Sequence, residues 1–188
     1  MSPEVLTPFD AVLLLSFGGP EASAEVMPFL EHVTRGRGIP HERLVGVAAH
    51  YELFGGVSPI NGQNRALLGA LEPALRTAGS SLPVYWGNRN SAPWIREIAL
   101  EMAADGVRRP VVFVTSAYSS YSGCRQYRED LAMAFEGTGI EVSKVAQFFD
   151  AEGFVAANAA AVLESITTLP AGTPTVLVTH SVPVTVDA

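Results

Sequence analysis

Two kinds of segment alternate along this chain, and the alternation restricts its fold more than any other feature. Ala11–Phe17 (AVLLLSF), Pro83–Trp86 (PVYW), Val111–Val114 (VVFV), Val142–Phe149 and Val176–Val178 are short, apolar and rich in β-branched residues, as strands buried on both faces are. Longer stretches with helical periodicity separate them. Val26, Phe29, Leu30 and Val33 fall on one stripe, and Pro28 fits a first-turn proline if that helix starts late. Leu67, Leu68, Leu71 and Leu75 mark a second helix. Ile95, Ile98, Ala99 and Met102 mark a third, opened by Pro93 and closed by Gly106 as a C′ glycine. Tyr127, Leu131 and Phe135 mark a fourth, and the Ala-rich residues 151–168 a fifth. The expected fold class is α/β, a Rossmann-like parallel sheet with helices on both faces.

In such a sheet ligands bind outside the carboxyl ends of the strands. That rule selects Ser16–Pro20, Gly87–Asn90, Ser116–Cys124, Asp150 and Thr179–Pro183. Composition narrows the ligand. The formal net charge of −7 argues against a nucleic-acid partner, which calls for a basic stripe. Eleven of the twelve cations are Arg, suited to bidentate carboxylate or phosphate contacts, although coding bias gives the same count. Cys124 is the one cysteine, so an intrachain disulfide is excluded, and neither CxxC nor HxH occurs. Asp10 and Gly18–Gly19–Pro20 interrupt the first apolar run, so neither a signal peptide nor a transmembrane segment is read. A soluble cytoplasmic protein is expected.

Each polar segment has a structural and a chemical reading. His180, just past a buried strand, is a base, a metal ligand or a satisfied structural residue. Ser16–Pro20 makes either a tight turn or a close backbone approach to a ligand, but it has neither GxGxxG nor a Walker lysine. Gly55–Gly56–Val57–Ser58–Pro59, preceded by Tyr51 and Phe54, reads as a helix end with its loop, or as backbone against a flat ligand. Arg35 and Arg37 complement a helix C-terminus or clamp ligand carboxylates. The run Tyr118–Tyr127 carries three tyrosines and leads into a helix N-terminus, which favours a binding role. Cys124 alone reads as a small buried thiol.

LLLSFGGP, VTRGRG, YELFGGVSPIN, GNRN, TSAYSSYSGCRQY and THSVP, in this order and spacing, resemble the ferrochelatases, above all the actinobacterial coproporphyrin III ferrochelatases. The likeness runs from about Phe9 to the end. It implies two Rossmann-like lobes facing a porphyrin cleft, with residues 1–118 as the first lobe and 119–188 as the beginning of the second. It implies insertion of Fe2+ into coproporphyrin III in haem biosynthesis, with coproporphyrin III and ferrous iron as partners. By the same resemblance His180 is the catalytic and iron-binding residue, and Ser58, Tyr127 and Tyr51 contact the porphyrin. Phe17 stands where many relatives carry an iron-ligating tyrosine, so it offers packing and no axial ligand. His50 stands where others carry an arginine, so one propionate contact of the family is not matched; a nearby arginine such as Arg37 is a separate candidate to receive propionates. Cys124 matches the first of four cysteines that hold a [2Fe–2S] cluster in some members. The other three have no counterpart, so this chain cannot hold such a cluster alone. Family members exceed 300 residues and place a glutamate opposite the histidine in their later half, so the chain looks like the first half of a longer protein. The alternative reading is a porphyrin-binding module without turnover.

Overall fold

The computed structural model describes residues 8–118 and 125–177. The chain divides into two compact units, one made of Met1–Thr115 with Glu129–Val145, the other of Ser116–Arg128 with Ala146–Ala188.

The first unit is built on a parallel sheet. Strand β1 (Ala11–Ser16) is buried along its whole length, because it has a strand on each side and cover above and below. Its neighbours are β2 (Val84–Asn88) and β3 (Pro110–Val114), and a two-residue β4 (Ser143–Lys144) extends the edge, giving the order β2-β1-β3-β4. The chain moves outward from β1 to β2 and then crosses back to β3. The strand order therefore reverses at β1, and a crevice opens where the loops after neighbouring strands part.

Register assigns each helix to a face. Val12, Leu14 and Ser16 lie level with Val84, Trp86 and Asn88, and Val12 and Leu14 also with Val111 and Phe113, so these side chains share one face. Helix α3 (Ile60–Thr77) covers it, setting the Arg65 guanidinium 5.8 Å from the Trp86 ring. Leu13, Leu15, Tyr85 and Gly87 share the opposite face. There α4 (Ile95–Ala104) comes so close that a β-carbon on Gly87 would lie 3.2 Å from the Ile95 Cα. Helices on both faces are thus observed. Two further helices, α1 (Ser23–Val33) and α2 (His41–Glu52), pack on each other through Val26, Phe29, Leu30 and Leu44. Helix α5 (Tyr127–Phe135) crosses from the second unit into the first, and α6 (Glu152–Thr167) lies in the second.

Gly106 ends α4 as expected. With φ at +84° it donates its N–H to Ala103 O, while Val107 N–H reaches Met102 O at 3.0 Å, the paired bonds of a Schellman motif. The leucine stripe of α3 faces the sheet but does not fill the space. A wholly apolar cavity of about 230 Å3 remains among Val12, Leu67, Leu71, Leu75, Phe113 and their neighbours.

Three expectations need correction. Helix α1 begins at Ser23, so Pro28 is an interior proline on an exposed position rather than a first-turn one. The start is set upstream, where the Glu25 carboxylate accepts the Glu21 N–H at 2.8 Å. The strand expected over 142–149 shrinks to Ser143–Lys144. After Val145 N–H donates to Val112 O, the chain leaves the sheet for the second unit, and an apolar run without a partner strand forms no ladder. For the strand expected at 176–178, Val176 and Leu177 are 78% and 81% exposed and outside any ladder, and among the described residues no strand covers them. Val178 lies outside the described residues.

Candidate functional site

The turn after β1 is the centre of the site. Gly18 has φ +80°, and a β-carbon there would lie 2.5 Å from Ser91 Oγ, so the tight turn requires glycine. A β-carbon on Gly19 would lie 2.6 Å from the Ser58 Cβ. Ser58 N–H donates to Pro20 O at 2.8 Å. The two glycine-containing loops, from β1 and from the end of α2, are therefore in direct contact, and Ser58 is seated against backbone.

Beyond Ser58 an open cavity of about 580 Å3 is lined by His50, Tyr51, Phe54, Val57, Ser58 and Pro59. Its walls are mainly apolar, as suits a flat organic ligand. A series of edge-on aromatic contacts leads from it to the turn: Tyr51 meets Phe29 at 6.4 Å and Phe29 meets Phe17 at 6.3 Å between ring centres. The Arg89 guanidinium lies 5.7 Å from the Phe17 ring and pairs with Asp130. Burial holds the Tyr51 phenol above its ordinary pKa, so it is a neutral hydrogen-bonding group at pH 7.

Tyr51, Ser58 and Phe17 are thus brought together. Arg37 is exposed in the loop after α1, where its N–H donates to Thr34 O, and Arg35 rather than Arg37 lines a cavity. That second cavity, about 440 Å3, also touches Glu25, Phe29, His32, Ser91 and Trp94. Tyr127 is buried at the first turn of α5 and belongs to the other unit. Cys124 and His180 lie outside the described residues. Among the described residues, no three His, Cys, Asp or Glu side chains are grouped to hold a metal ion.

Sequence reasoning missed a polar network behind the turn. Asn88, fully buried at the end of β2, donates from Nδ2 to Asn61 Oδ1 at 3.0 Å, to Ala92 O at 3.0 Å and to Ser91 Oγ at 3.4 Å. Asn61 donates to Gly19 O, and Ser91 accepts from Gly19 N–H. The Ser16 hydroxyl and the Asn64 amide nitrogen, both buried, have no hydrogen-bond partner among the described residues. Asn61 and Asn64, three apart at the start of a helix otherwise lined by leucines, were the available signal.

The family model described as Ferrochelatase matches residues 9–188. A coproporphyrin III ferrochelatase of Streptomyces griseus is 56% identical over 94% of this chain and 50% of its own length. One of Mycolicibacterium smegmatis is 55% identical over 86% of this chain and 48% of its own. A ferrochelatase of Rhodopirellula baltica is 48% identical over 95% of this chain and 52% of its own. The chain spans about half the length of the curated relatives it matches.

Proposed function

Since the chain belongs to the ferrochelatase family, we propose that it supplies its share of an enzyme that inserts Fe2+ into coproporphyrin III, a step of haem biosynthesis. The observation that carries the reading is the open, mainly apolar cavity in which Tyr51 and Ser58 stand together, joined through Phe29 to Phe17.

Metallation exchanges two pyrrole N–H protons for one Fe2+, so the products are the iron porphyrin and two protons. Iron is the substrate here, and the site must strip water from it. His180 takes the metal-binding and proton-accepting role by its place in the THSVP motif; a neutral imidazole suits both Fe2+ and a proton near pH 7. Tyr51, held neutral by burial, donates a hydrogen bond and does not serve as an anionic ligand. Phe17 has no ligating atom, so iron gains no axial ligand from that side chain and its ring serves as a packing surface. Ser58, on the cavity wall, offers its hydroxyl to the porphyrin edge.

A [2Fe–2S] cluster does not fit this chain by itself. Four thiolates are required and Cys124 is the one cysteine, so no step runs through a cluster. A cytoplasmic setting belongs to the same proposal; among the described residues no helix is long and apolar enough to cross a membrane. The excess of acidic side chains supports small-molecule partners rather than nucleic acid.

The test begins with the 188-residue chain. Titration with coproporphyrin III, followed at the Soret band, is expected to show saturable binding, weakened about tenfold by Tyr51→Ala; absence of binding sinks the reading. In a chain extended to the relatives' length, His180→Ala is expected to keep binding and lose insertion by about a hundredfold or more. A second reading, porphyrin binding without turnover, predicts the first result without any insertion.

A further inference from the structure

The geometry points to Asn88, with Asn61 and Ser91 as its two arms, as the device that sets the Gly18–Gly19 turn and, through it, the Ser58 wall of the cavity. The three are positioning residues for the tetrapyrrole site, and the inference rests on the reading above.

Asn88 is oriented without ambiguity. Trp86 Nε1 carries only a donor and approaches Asn88 Oδ1 at 3.1 Å, so the amide nitrogen must face the other way. That nitrogen has two protons for three acceptors: Asn61 Oδ1, the Ala92 carbonyl and Ser91 Oγ. Ser91 Oγ also receives the Gly19 N–H at 3.0 Å, and the Gly19 carbonyl receives Asn61 Nδ2 at 3.1 Å. Both polar groups of Gly19 therefore end on side chains that converge on Asn88.

Gly19 has no slack on its other side. A β-carbon there would collide with Ser58 and with Ile60, so any displacement of the glycine is passed to Ser58. The network reaches β1, β2, the start of α3 and the loop at 91–93, the segments that must agree if the cavity is to keep one shape. Hydrogen bonds of this kind hold a unique arrangement only when every member is satisfied. Removing one arm frees the turn while leaving the sheet paired.

Ser91→Ala deletes the acceptor for Gly19 N–H; Ser91→Thr keeps it and has room for a methyl, since Ser91 borders the 440 Å3 cavity. Two quantities are read on the 188-residue chain: exchange of the Gly19 amide proton by NMR, and the dissociation constant for coproporphyrin III. In Ser91→Ala, exchange is expected to rise at least about tenfold and affinity to fall about five- to tenfold, with Ser91→Thr close to the unaltered chain. Asn88→Asp is expected to act in the same direction; if it fails to fold, the Ser91 pair decides. Faster exchange with unchanged affinity overturns the positioning role and leaves the tetrapyrrole reading intact. Unchanged exchange in Ser91→Ala overturns the latch itself. If the unaltered chain does not bind coproporphyrin III, the reading fails and this inference falls with it.

Discussion

Tyr85 shows how one side chain couples the sheet to a helix end. Its hydroxyl donates to Asp105 at 2.7 Å, just past α4. Burial first, then this hydrogen bond and the neighbouring charge, push its pKa up to about 12 from an ordinary value of 10. The folded state thus holds the phenolic proton more tightly than the unfolded one. The stabilisation is complete below pH 10 and is lost as pH rises from about 10 to about 12. Urea-unfolding midpoints measured across that range are expected to fall, and Tyr85→Phe is expected to remove that part of the fall. At this scale the unusual blocks drew attention to Tyr51 and Ser58, which line one cavity, and to Phe17, which reaches Tyr51 through Phe29. Asn61 and Asn88 were not selected as a pair, because 27 residues separate them and only the return of β2 beside β1 makes them neighbours.

Elements were legible in proportion to how much of their environment is local. The stop of α4 at Gly106 depends on one residue's φ, so the glycine alone announced it. Gly106→Ala forces a β-carbon into the left-handed region and is expected to cost about 1–2 kcal/mol, seen as a lower chemical-unfolding midpoint at unchanged slope. β1 announced itself because burial on two faces demands uninterrupted apolar sequence, and the less fully covered β2 and β3 were legible from their short β-branched and aromatic runs. The run at 142–149 was read as a strand too, although Ser143, Lys144 and Gln147 interrupt it, and only Ser143 and Lys144 pair, with β3 at the sheet edge. Apolar sequence records an affinity for cover, not the presence of a partner strand. Val176 and Leu177 make the same point more strongly, since among the described residues nothing pairs with them. Helix α6, read correctly from its alanines, buries no side chain fully, which its composition could not reveal.

For the whole molecule, the alternation of strands and helices was sufficient to give a parallel sheet covered on both faces, and the return of the chain past β1 then placed the turn at Gly18–Gly19 beside the loops that line the cavity. What alternation does not encode is how completely the layers close. The space of about 230 Å3 beneath α3 is a pocket with wholly apolar walls that stays open at its rim, where Leu67 is exposed. Leu71→Phe places more apolar surface in that pocket and is expected to raise the urea-unfolding midpoint, with tryptophan emission as the measurement. The layer between α3 and the sheet is thus left unfinished, and apolar side chains there still want a lid.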